Sequence, residues 1–146
     1  MAMMAAGGIG NPLDAIEDVD IDGSGVFKYV LMEITVLAGF MRFQKHIVRG
    51  HSGPGTTVDL ADPIQKKLSQ EMGISSEVLG GGFIDHQPNK RKISVYGTSE
   101  AYGRPDHSIT AELLKKKYPN YTDISWSNEG QATSNHMMHF LDKLSK

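Results

Sequence analysis

Apolar and polar positions change their period several times along this chain, and each change marks an element. Residues 26–36 (VFKYVLMEITV) are rich in β-branched and aromatic side chains and predict a central strand, and residues 43–49 add a second apolar run. Residues 50–57 (GHSGPGTT) show no period and are dense in Gly, Pro, Ser and Thr, which predicts an irregular loop. Over residues 59–72 the period becomes helical: Leu60, Ile64, Leu68 and Met72 recur every four positions, Pro63 stands near the first turn and Gly73 just past the end. Residues 78–85 carry Gly80, Gly81 and Gly82 among apolar residues, and residues 91–97 (RKISVYG) alternate as a half-buried strand does. Pro88 and Asn89 between these two runs suit a hairpin turn.

Residues 108–118 predict a second helix, with Asp106 or Ser108 as N-cap, Lys115, Lys116 and Lys117 at the negative end of its dipole, and Pro119 as its stop. Residues 121–126 read as a last short strand. Beyond a polar stretch, Met137, Phe140, Leu141 and Leu144 fall on one face of an appended amphipathic helix. The order strand, strand, helix, hairpin, helix, strand predicts a single α/β (α+β) domain: one mixed sheet of about five or six strands with helices packed on both faces. Any helix-linked parallel crossover should be right-handed. The expected division is a flexible leader over 1–17, the domain over 18–130, and an extension with the amphipathic helix over 131–146.

Composition narrows the chemistry. A chain of 146 residues is the size of one ordinary domain. A formal charge of −2 provides no basic field for polyanions, so nucleic acid is not an expected partner. The absence of Cys excludes disulfides, thiol nucleophiles and cysteine metal sites but is neutral about oxidising compartments; a reducing cytoplasmic setting is the simpler expectation. No run approaches the roughly eighteen apolar residues of a membrane span, because Lys28, Glu33 and Thr35 interrupt the most apolar stretch.

Asp18, Asp20, Asp22 and Gly23 spell D-x-D-x-D-G, the opening of a calcium loop. The match fails where Tyr29 stands in place of the bidentate Glu and strand-like sequence replaces the exiting helix, so an acidic turn is expected. The triple glycine lacks the Lys-Ser/Thr of a phosphate loop; it allows either tight packing or close approach of a ligand, and both readings stay open. His136 and His139 could share a metal face, but nothing nearby supplies a third ligand, and neither a metal nor a cofactor is expected. His46, His51, His86 and His107 are scattered singly. Lys28, Arg49 and Ser99 offer enough donors for a phosphoryl group if the fold brings them together.

The segments VDID (19–22), GVFKYVL (25–31), IVRG (47–50), LGGG (79–82), VYG (95–97), AYG (101–103) and KYP (117–119), with Ser99, resemble in order and spacing the phosphohistidine phosphatase family, also called Janus/Ocnus. The resemblance covers about residues 18–130. It implies a compact sheet with helices on both faces and removal of phosphate from protein histidine without a metal. It also implies a phosphate pocket at Lys28, Arg49 and the Ser99 to Ala101 loop, whose hydroxyl and backbone N–H groups meet the phosphate. His86 and His107 match family histidines. Two family positions differ here. Thr57 stands where the resemblance implies the catalytic His, and Phe83 where an Arg usually follows the triple glycine.

Loss of a general base typically costs about 10²- to 10⁴-fold and loss of a transition-state donor about 10²- to 10³-fold. Threonine cannot replace an imidazole as base near neutrality, and His51, six residues earlier in the loop, is the one nearby substitute. The resemblance therefore implies either a weak or altered phosphatase acting on a phosphorylated protein, or a non-catalytic subunit that docks on a protein partner through its C-terminal helix.

Overall fold

The computed structural model describes residues 10–128. The helix expected in 131–146, with His136 and His139, lies outside the described residues. In chain order the elements are β1 (Val19–Ile21), β2 (Gly25–Ala38), β3 (Met41–Gly50), α1 (Thr57–Met72), β4 (Ser75–Gln87), β5 (Lys92–Tyr96), α2 (His107–Lys117) and β6 (Asp123–Ser127). They form the expected mixed α+β unit: six strands in the order β1-β3-β2-β4-β5-β6. The β2–β3, β2–β4 and β4–β5 pairs are antiparallel, and β1–β3 and β5–β6 are parallel.

Period two sorts the long central strands onto two cores. Val30, Met32, Ile34 and Ile47 face α1 and pack on Leu60, Ala61 and Leu68, whereas Tyr29, Leu31, Val48, Ile84, Ile93 and Val95 face α2 and pack around Leu114. Each helix closes one face. Thr56 caps α1 by accepting from the Asp59 N–H at 3.0 Å, and Gly73 ends it at φ 65. Because the cap lies at Thr56, the helix begins two residues ahead of the period and Pro63 falls inside it, past the first turn. Asp106 caps α2, and its buried residues His107, Thr110, Ala111 and Leu114 make one helical face.

Two differences from the sequence pattern concern the acidic beginning. Residues 12–16 pack on the α1 core, with Leu13 fully buried and Ile16 nearly so, although a leader is expected through residue 17. Residues 19–21 form a short edge strand where only an acidic turn is expected. Three residues with an Asp in the middle carry no readable period; their extended form comes from pairing with β3, Val19 to Val48 and Ile21 to Gly50.

The triple glycine of β4 is a packing requirement. A Cβ on Gly81 would meet the Tyr29 carbonyl oxygen at 2.8 Å, Ser99 Cβ at 3.1 Å and Thr57 Cγ2 at 3.2 Å. On Gly80 it would collide with the backbone of Pro105, and on Gly82 with the Tyr96 carbonyl. Just before these glycines the β2–β4 register shifts between Leu31 and Met32, a bulge that re-aims the strand. The nearest obstacle at each of the three is a backbone atom, which cannot swing aside. Gly82→Ala is therefore expected to destabilise the chain by roughly 1–3 kcal/mol, against roughly 0.5 or less for Gly23→Ala in open space, measured by urea unfolding.

Candidate functional site

The stripped surface of β4 lets the chain from Gly97 to Gly103 lie against it. Ser99 and Gly103 pair as a small bridge, Gly103 N–H to Ser99 carbonyl at 2.9 Å, and the Gly81 N–H donates to the Gly103 carbonyl at 3.0 Å. This turn, the start of α1 and the strand residues Lys28, Gly82 and Phe83 enclose a hollow of about 220 Å³. Gly55, Thr56, Thr57, Thr98 and Glu100 complete its wall.

At its floor Thr57 Oγ1 and Ser99 Oγ lie 2.6 Å apart, both nearly buried. Ser99 Oγ also accepts the Ala101 N–H at 3.2 Å and the Tyr102 N–H at 3.1 Å. A serine hydroxyl has two acceptor sites and one proton. With both sites taken, Ser99 donates to Thr57, and the Thr57 proton is the one left to point at a guest. The first turn of α1, the positive end of its dipole, opens onto the same hollow. Lys28 stands at the wall with its ammonium 5.6 Å from the Phe83 ring centre, and Phe83 stacks on Tyr96, whose phenol burial pushes up to about 12 with help from Asp85. Ammonium, hydroxyl and helix terminus all favour an anion here, and Glu100 is the opposing carboxylate.

The chain matches the model of the Janus/Ocnus family over residues 13–122. It is 43% identical over 121 residues to the 14 kDa phosphohistidine phosphatase of Sus scrofa, covering 81% of this chain and 94% of that protein. The Homo sapiens protein of the same name is also 43% identical, with 81% and 95% covered. The sex-regulated protein janus-A of Drosophila pseudoobscura pseudoobscura is 39% identical, with 77% and 75% covered. The chain belongs to the Janus/Ocnus family.

In this Janus/Ocnus chain the expected pocket residues divide. Lys28, Thr57 and Ser99 meet at the hollow; Arg49 and His51 line a neighbouring cleft of about 550 Å³ between α1 and the segment from Ala15 to Asp20. Arg49 is 8% exposed, and its guanidinium donates to the carbonyls of Val48 at 2.9 Å, Glu17 at 2.8 Å and Asp18 at 3.5 Å. Burial pulls its pKa down, opposed by the nearby Asp20, Glu17 and Asp18 charges. The His51 ring turns to Asp22, Nδ1 to Oδ1 at 2.9 Å. Ala101 directs its N–H at Ser99 Oγ and is not on the hollow's wall. The sequence names Glu100 only as part of the Ser99 to Ala101 loop and does not single out Gly55, Thr56 and Thr98, which carry no motif of their own; their place follows from two loops meeting over β4.

Both family-matching histidines are cross-links inside the fold. His107 is fully buried; its Nε2–H donates to the Gly97 carbonyl at 2.8 Å, which leaves Nδ1 to accept the Tyr29 hydroxyl at 2.6 Å, and Thr110 in turn lies 3.1 Å from that oxygen. His86 Nδ1 donates to the Asp22 carbonyl at 2.9 Å, and Nε2 meets the Tyr121 hydroxyl at 2.6 Å. Burial lowers the His107 pKa, with the Gly97 bond opposing and the Arg104 charge assisting. The sign follows: below about pH 6.5 the unfolded chain takes up a proton that the native ring resists, so stability is lost as pH falls. Urea unfolding at about pH 7.5 and 5.5 should show a steeper loss for the parent than for His107→Gln. In the same assay Thr57→Val, which leaves the buried Ser99 hydroxyl without an acceptor, is expected to cost about 1–3 kcal/mol.

Proposed function

We propose that the Lys28 hollow holds a phosphoryl group presented by a phosphorylated protein, and that this chain removes it from histidine weakly or not at all, with no metal required. The observation that carries the reading is the 2.6 Å bond between Thr57 and Ser99. A hydroxyl pair with acceptor and donor already matched supports the reading, because Thr57 is the residue where the family resemblance implies an imidazole base. A threonine can hold a phosphoryl oxygen but cannot take a proton from water near neutrality. No histidine lines the hollow among the described residues, and His51, the substitute considered from sequence, is engaged by Asp22 on the far side of its loop.

The second departure supports the same reading. Phe83 brings a ring where the resemblance implies a guanidinium, so Lys28 is the cation on the wall of this hollow among the described residues. Donor groups for ground-state binding are retained while those that would stabilise the transition state and activate water are reduced. The relatives named phosphohistidine phosphatases, 43% identical, support the chemical class of guest. The rival reading, a non-catalytic subunit docking through residues 131–146, rests on a segment outside the described residues.

Calorimetric titration with inorganic phosphate should show binding to the parent that Lys28→Met weakens roughly ten- to a hundredfold, the loss of one charge-assisted hydrogen bond. Phosphate release from a phosphohistidine peptide by the parent should stay near the buffer rate. The double substitution Thr57→His with Phe83→Arg should raise it by about 10²-fold or more. Robust release by the parent, equal to that of the double variant, would show a base placed elsewhere and overturn the reading.

A further inference from the structure

We propose that Asp22 is a positioning residue for the Lys28 hollow: it clamps the loop of residues 51–56 and so sets where the first turn of α1 meets a bound anion. The inference rests on the anion reading of the hollow given above. It absorbs the acidic D-x-D-x-D-G turn, which no calcium loop explains. Asp18 pairs with Lys45 at 2.8 Å, Asp20 lies 3.9 Å from His51 Nε2, and Asp22 takes the central role.

All four polar groups of Asp22 are cross-links. Its N–H donates to the Gly50 carbonyl at 2.9 Å and its carbonyl accepts the His86 ring at 2.9 Å, which ties the turn to the ends of β3 and β4. Its carboxylate reaches the loop: Oδ1 binds His51 Nδ1 at 2.9 Å and Oδ2 accepts the Ser52 N–H at 2.8 Å. Burial acts to raise the carboxyl's pKa, but hydrogen bonds from His51 and Ser52, with the His51 charge, together hold it below its ordinary range.

The loop needs such an anchor. Gly53, Pro54 and Gly55 carry no side-chain donor or acceptor, so the segment is held from its two ends. One end is the Asp22 clamp at His51 and Ser52; the other is the Thr56 cap on α1. Between them the chain forms a ridge with the Arg49 cleft on one side, lined by His51 and Pro54, and the Lys28 hollow on the other, lined by Gly55, Thr56 and Thr57. A ridge loosened at Ser52 moves the wall of the hollow, and small displacements of a preorganised site weaken it strongly.

Asp22→Asn keeps the size of the side chain and one acceptor but removes the charge and one of the two acceptor oxygens from the loop. Sulfate, a dianion that does not titrate near neutrality, is the probe, with binding read by calorimetry and backbone order parameters of Ser52, Gly53 and Gly55 read by NMR. The expected result is a fall in those order parameters and sulfate binding about tenfold weaker, as for partners that orient the residues of a site. Simple electrostatics has the opposite sign, since removing a negative charge should tighten an anion. His51→Leu should reproduce part of the loss, and His51→Asn, which keeps a donor near the Nδ1 position, should recover it. Unchanged order parameters in Asp22→Asn overturn the proposal, as does a loosened loop with unchanged sulfate affinity. If the parent itself binds neither sulfate nor phosphate, the anion reading falls, and with it the role assigned to Asp22; that failure is recognised because it appears without any substitution.

Discussion

The backbone from Gly97 to Pro105 lies against β4 because Gly80, Gly81 and Gly82 present no side chains for it to clear. That contact sets the separation between the Ser99 turn and the start of α1, and the 2.6 Å bond from Ser99 to Thr57 follows from it. His107 reinforces the arrangement from beneath by holding the Gly97 carbonyl, with Tyr29 and Thr110 completing its hydrogen bonds. A buried imidazole satisfied at both nitrogens keeps one tautomer and one orientation, which gives the turn above it a rigid support.

Cations are distributed by burial as well as by charge. Arg49 stands on the strand position opposite Val30, two residues from Lys28 along β2, yet its planar fork is drawn down onto three carbonyls at the β1 end of the sheet. Two of those carbonyls, of Glu17 and Asp18, belong to the segment that leads into a three-residue edge strand, and the third is that of Val48 on β3 itself; the spread donors of a planar guanidinium reach all three. Lys28 lines the hollow with its ammonium beside Phe83. The result is one cation committed to the fold and one lining the hollow.

The acidic turn makes a comparable division. Asp18 neutralises Lys45, which also donates to the Ile16 carbonyl, and so fastens the packed segment ahead of β1 to β3. Asp22 ties the end of β1 to the loop that enters α1 and, through its carbonyl, to His86 and the Tyr118–Tyr121 pair. A turn dense in carboxylates is thus built into the scaffold, with Asp18 on Lys45 and with Asp20 and Asp22 both beside His51.

Local pattern determined much of this protein. The β-rich run over 26–36, the alternation over 91–97, the four-residue spacing from Leu60 to Met72, and the cap offered at Asp106 or Ser108 each state the geometry of a few consecutive residues, which backbone sterics translate directly into strand or helix. The short motifs from residue 19 to 119 carried the family resemblance for the same reason: they are strings, legible without coordinates. Tertiary structure alone decided that Thr57 would meet Ser99, forty-two positions away, and that Arg49 and His51 would turn to a different cleft from Lys28. It also decided that residues 12–16 and 19–21 belong to the core and the sheet. Such contacts depend on which strands pair and which loops cross over glycine, and the direction a buried arginine takes is set largely by the Glu17 and Asp18 carbonyls ahead of β1, so no local period can record them.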